Sequence, residues 1–154
     1  MNSPLEQEDG EWIEHPSTPQ SFNAPSAIPI ISLWGRLLVP LQGDIRDTQL
    51  QELEERLLNT IRDHGAEGLV IDASGVTMLD SHLCATLGRT AAAARLMGVR
   101  AVLCGLDPTV AMTLEAMGLA LEHVETALVL ESALDQLGVR VVRDEGEDEM
   151  EEGL

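Results

Sequence analysis

Apolar residues in this chain change their spacing several times, and the changes mark out elements. Ile28, Ile30, Ile31 and Leu33 cluster beside Pro29, and beyond Gly35 a second cluster holds Leu37, Leu38, Val39 and Leu41. Two short apolar runs joined by a tight Gly35-Arg36 connection predict a β-hairpin. Pro40 in the second run leaves one side of that strand without full pairing. The period then becomes helical. Leu50, Leu53, Leu57 and Ile61 recur at three- and four-residue steps. Thr48 and Gln51 stand before them at capping-box spacing, and Gly65 ends the stripe.

Leu69, Val70 and Ile71 predict a short buried strand ending in Asp72, followed by a loop from Ala73 to Leu79. A second helix is expected from Asp80-Ser81 to about Met97, with Leu83, Leu87, Ala91 and Ala94 on one face and Gly98 closing it. Ala101, Val102 and Leu103 predict the next strand. Asp107-Pro108 reads as a cap followed by proline at the first helical position, and that helix runs through Val110, Leu114 and Met117 to Gly118. A brief edge strand is expected within Leu119 to Val124. A last helix then opens at Glu125-Thr126 and stops at Gly138, with Val139, Val141 and Val142 as a terminal strand. The order β-β-α-β-α-β-α-(β)-α predicts a single α/β domain over 28–142, its mixed sheet mostly parallel with one antiparallel hairpin strand and about four helices.

Charge separates this domain from its ends. The 154 residues carry a formal net charge of −18, and all nine cations are Arg. Two-thirds of the excess lies at the termini: residues 1–27 hold five acids and no Arg, and residues 144–152 hold seven acids. Both stretches, 1–27 and 143–154, read as acidic disordered tails. A chain this acidic is a poor match for nucleic-acid phosphates or anionic membranes. The lack of Lys removes a P-loop and any Schiff base. No apolar run approaches the roughly 18 residues of a membrane span, and no signal peptide is legible. The expectation is a cytoplasmic protein with Cys84 and Cys104 as reduced, buried small hydrophobes.

Catalytic motifs are missing. There is no G-x-S-x-G, H-E-x-x-H, C-x-x-C or G-x-G-x-x-G, no metal-ligand spacing, and nothing that calls for a cofactor. Ser81 and His82 are adjacent, and adjacent helical side chains do not face each other, so they make no nucleophile–base pair. The informative stretch is Ile71 to Leu87. Asp72 ends a strand where open α/β sheets place their sites. Ser81 lies at a helix N-terminus, where the backbone favours negative charge. A phosphate there would add about −2 charges and three acceptor oxygens. The same residues also fit a plain structural role, with Asp80 or Ser81 as N-cap.

The segment D-A-S-G-V-T-M-L-D-S, Asp72 to Ser81, resembles the phosphorylation loop of STAS domains, the anti-sigma factor antagonist family. Further blocks resemble its RsbS-type stressosome branch: I-P-I-I-S-L-W-x-x-L-L-V at 28–39, A-R-L-M-G at 94–98, P-x-V-A-x-T-L-x-x-x-G-L at 108–119, and V-E-T-A-L-x-L-E at 124–131. The resemblance implies a non-catalytic phospho-switch and scaffold. It would bind and sequester an RsbT-type serine kinase within a large assembly shared with RsbR-type paralogues, release it when Ser81 is phosphorylated, and be reset by a phosphatase. It implies Ser81 as phosphoacceptor and Thr113 as a possible second one, the alternative for Thr113 being packing or back-bonding on its helix. The partner-binding surface is expected around Ser74, Gly75, Thr77, Asp80, Ser81 and His82, with His82 departing from the small or apolar residue common there. The alternative is a stand-alone antagonist that binds an anti-sigma kinase directly.

Overall fold

The computed structural model describes residues 27–118, 121, 124–140 and 142. Five strands form one sheet whose spatial order is the chain order: β1 (Ile31–Leu33), β2 (Arg36–Gly43), β3 (Gly68–Val76), β4 (Arg100–Cys104) and β5 (Glu125–Ala127). β1 is antiparallel to β2, and the remaining neighbours are parallel. Among the described residues the helices are α1 (Asp47–His64), α2 (Ser81–Leu96), α3 (Pro108–Ala116) and α4 (Leu130–Gln136). The alternation of β and α segments thus yields the mixed, mainly parallel sheet that the sequence predicts.

The hairpin turn is Trp34-Gly35, one residue earlier than the sequence suggests, with φ of 47° and 78°. A two-residue connection needs left-handed backbone at both central positions to match strand twist. Arg36 is already in β2. Ile28 is buried but precedes β1, which spans only Ile31–Leu33. β1 pairs with Arg36–Leu38 alone. Pro40 therefore lies past its end, where a missing N–H costs nothing on that side.

Apolar burial sets the layers. On one face of the sheet, Leu50, Leu53, Leu57 and Ile61 of α1 pack with Leu83, Leu87, Ala91 and Ala94 of α2 over Val39, Leu41, Leu69, Ile71 and Leu103. Each such buried Leu or Ile stabilises the fold by roughly 1.5–3 kcal/mol. On the other face, Val70, Val102 and Cys104 lie beneath Ala133, Leu134 and Leu137 of the α4 segment. Arg36 ties that segment to the hairpin: its Nε and Nη2 donate to the Leu137 carbonyl at 3.1 and 2.9 Å.

Several local expectations change. The N-cap of α1 is Arg46, whose N–H donates to the Gln49 side chain at 3.0 Å. Thr48 is already helical, so the Thr48/Gln51 box does not form. The strand expected within Leu119 to Val124 is instead β5 at Glu125–Ala127, and the last helix opens at Leu130 rather than Glu125. Leu121 and Val124 are not in a strand, and the rest of 119–124 lies outside the described residues. Tertiary contacts explain the shift. Glu125 pairs with Val102 in the ladder, and the Arg100 guanidinium grips its carboxylate at 3.0 and 2.6 Å. That hydrogen bond also holds the Glu125 carboxyl below the ordinary carboxylate range. Val139 and Val142 are not in a strand either, and Val141 lies outside the described residues, as do the acidic tails apart from Ala27.

Candidate functional site

β3 outlasts its apolar run. Leu69 to Ile71 pair on both sides, but β2 continues alongside, with Gln42 opposite Gly75 and Gly43 opposite Val76. The segment expected as loop from Ala73 is therefore strand as far as Val76. β4 stops at Cys104, opposite Asp72. Residues 73–76 thus project past β4 with β2 on one side. A register irregularity between Pro40 and Gln42 accommodates them, as a bulge does when it re-aims a strand end.

The turn after β4 braces this projection. Gly105 has φ +77°, and its N–H donates to the Leu128 carbonyl at 3.2 Å. A Cβ at Gly105 would stand 2.7 Å from both Ser74 Cβ and Ser74 N. Only glycine permits this approach. Asp72 Oδ1 accepts from the Ser74 N–H at 3.0 Å and fixes the same bend.

Beyond β3, Thr77 Oγ1 donates to Asp44 Oδ1 at 2.5 Å, joining the loop to the end of β2. The N-cap of α2 is Asp80: its backbone is extended and its Oδ1 accepts from the Leu83 N–H at 2.7 Å. Such a cap contributes about 1 kcal/mol. With that role filled, Ser81 is the first helical residue. It is exposed, and no described residue hydrogen-bonds its hydroxyl.

The loop and α3 face each other across a groove of about 480 Å³. Thr77, Met78, Leu79, Asp80 and Ser81 form one wall; Thr109, Val110, Thr113, Leu114 and Met117 form the other. This juxtaposition carries no sequence signal, because the two walls lie about thirty residues apart. Of the residues expected at the partner surface, Thr77, Asp80 and Ser81 meet at the groove. Ser74 and Gly75 stand at the end of β3. His82 pairs with α1, its Nε2 3.3 Å from Asp47 Oδ1. Thr113 is on the wall opposite Ser81, and its Oγ1 donates to the Thr109 carbonyl at 2.8 Å.

The two thiols are buried. Burial, reinforced by Asp72 and Glu131, pushes the Cys104 thiol up to about 12, and burial followed by Asp80 raises Cys84. Thiols held in the neutral form are poor nucleophiles. Among the described residues, no three His, Cys, Asp or Glu side chains gather to hold a metal ion, and no helix is long and apolar enough to cross a membrane.

Residues 28–133 match the family model of the STAS domain. The chain belongs to the STAS-domain family. Within it, this STAS protein is RsbS-like. A serine-to-glutamate variant of RsbS from Moorella thermoacetica superposes with a TM-score of 0.66 at 34% identity, covering 73% of this chain and 96% of that one. A chain from the molecular architecture of the stressosome, described as a signal integration and transduction hub, superposes with a TM-score of 0.61, also at 34% identity, covering 71% and 96%. In sequence, the RsbT co-antagonist protein RsbRA of Bacillus subtilis is 29% identical over 107 residues, 69% of this STAS chain. Those residues span 39% of the relative's length.

Proposed function

We propose that this chain is a non-catalytic, cytoplasmic phospho-switch and scaffold of the stressosome type, and that Ser81 is its phosphoacceptor. Unphosphorylated, the surface around Ser74 to Leu83 docks an RsbT-type serine kinase. The chain works in a large assembly with RsbR-type STAS paralogues. Phosphorylation of Ser81 releases the kinase, and a phosphatase restores the serine.

The observation that carries this reading is the placing of Ser81. It stands at the lip of a groove with a hydroxyl that no described residue engages, while the Asp80 side chain does the capping. A phosphate there needs no unfolding of α2, whose N-terminal dipole favours negative charge. For a partner seated over the groove, covering a hydrated dianion opposes docking, and Asp80 adds like-charge repulsion. Each tenfold loss of affinity needs only about 1.4 kcal/mol. The RsbS-like fold and the likeness to an RsbT co-antagonist support the kinase as partner.

The test is binding of a purified RsbT-type kinase to wild-type chain, Ser81→Ala and Ser81→Asp, with mass mapping of phosphate after ATP is added. Wild type and Ser81→Ala should hold the kinase, Ser81→Asp should hold it at least about tenfold less tightly, and phosphate should map to Ser81. Equal binding by all three forms, or phosphate elsewhere, overturns the switch. Capture of an anti-sigma factor in place of the kinase would make the chain a direct antagonist.

A further inference from the structure

We infer that α3 is the second half of the docking surface, and that the groove between α3 and the Ser81 loop receives an apolar side chain carried on a basic segment of the kinase. This rests on the function proposed above and extends it from the loop to a helix that the loop motif does not include.

The groove is apolar inside. Leu114 is the only buried residue of α3. Val110 is half-buried beside it, and Met78 and Met117 are 73% and 61% exposed at the two walls. Apolar side chains converging on an open slot mark an interaction surface more than isolated exposed residues do. Methionines suit such a slot because their flexible thioethers adapt to an incoming side chain.

Its rim is acidic. Asp80 lines the groove. Asp107 Oδ1 accepts from the Thr109 N–H at 2.8 Å, and Asp44 accepts from Thr77. No Arg is among the lining residues, and the chain has no Lys. A negative rim around an apolar slot selects a positively charged segment and speeds its encounter. Phosphorylation then acts on the anchor rather than on the flanking charges. A phosphate on Ser81 stands at the slot's mouth and must shed water before an apolar side chain can seat.

Binding of purified RsbT-type kinase to the full chain tests this, with folding of each variant checked by circular dichroism. Met117→Glu and Met78→Glu, on opposite walls, should each weaken binding by about tenfold or more. Met112→Glu, exposed on α3 but not lining the groove, should change it less than about twofold. The double variant Asp44→Asn/Asp107→Asn should slow association and flatten its dependence on salt. Combining Ser81→Asp with Met117→Glu should weaken binding less than the two losses added together. If Ser81→Asp weakens binding while both groove variants bind as wild type, the groove inference falls and the switch stands. If wild type does not bind the kinase, both fall. If Met117→Glu alters self-assembly and leaves kinase affinity intact, the groove belongs to a second copy and the inference is overturned.

Discussion

Replacing Gly105 by alanine adds one methyl group at a turn packed against the candidate site. Two separate costs follow. At φ +77° an L side chain is strained, by about 1–2 kcal/mol. The new Cβ would also lie 2.7 Å from Ser74 Cβ and Ser74 N, and 2.8 Å from Asp72 Oδ1. Ordinary contacts need about 3.5–4.0 Å, so something must move by close to an ångström. The obstructing atoms include β3 backbone held by β2, and relief of such overpacking costs about 1–3 kcal/mol. The total is about 2–5 kcal/mol. Gly98→Ala is the matched control: its φ is +84° and a Cβ there meets nothing within 4 Å, so only the strain of about 1–2 kcal/mol applies. Urea unfolding of the three proteins, read at constant m, gives the comparison. Gly105→Ala should be the less stable variant, with the backbone amide of Ser74 shifted in NMR spectra of the folded state. If it is no less stable than Gly98→Ala, the β4–α3 turn does not brace the projecting end of β3.

The remaining predictions concern stability. The chain has neither Lys nor Tyr, so its thiols are the side chains that titrate between about pH 9 and 12. Cys104, pushed up to about 12, and Cys84, also raised, keep their protons in the folded state after the unfolded chain has lost them. Stability should be full below about pH 8.5 and fall as pH rises toward 12, by up to about 1.4 kcal/mol per pH unit for each thiol. Cys104→Ala should make the decline shallower in urea titrations from pH 8 to 11, and a flat wild-type profile would refute the assignment. Arg36→Lys keeps the charge but loses the two-pronged donation to the Leu137 carbonyl. It should cost about 1–2 kcal/mol by urea unfolding, and unchanged stability would show that the α4 segment does not depend on that fork. Asp80→Ala should lose about 1 kcal/mol while Asp80→Asn stays near wild type; equal losses would mean that charge rather than capping matters there.

Periodicity made the helical layer legible. The stripe Leu50, Leu53, Leu57, Ile61 is the set that α1 buries, and Leu83, Leu87, Ala91, Ala94 are buried by α2 together with Cys84, Thr86 and Thr90, which the stripe does not include, because a helix must turn its apolar face to the sheet. Glycines at 65, 98, 118 and 138 follow helix ends and take left-handed φ, as C-terminal stops do. Short polar elements were not legible. Glu125–Ala127 has no apolar alternation and becomes a strand through its ladder with β4 and the Arg100 grip. Ala73 to Val76 reads as a loop because Ser74 and Gly75 are poor strand formers, yet β2 holds it extended. At the site, the position of Ser81 at a helix start is visible in the sequence. The opposing wall from Thr109 to Met117 is not, since it is a product of tertiary packing alone.

The two outer strands, β1 and β5, have three residues each. A sheet polymerises edge to edge when a long unpaired strand offers its backbone to a neighbour. Among the described residues each flank is only three residues long, and β5 carries the charged Glu125 locked to Arg100. Edges this short discourage copies of this domain from growing as a continuous ribbon. With α1 and α2 on one face of the sheet and α4 on the other, any contact between copies falls to helices and loops, where side-chain shape fixes the angle between neighbours. An angle fixed in that way lets an assembly close on itself and stop.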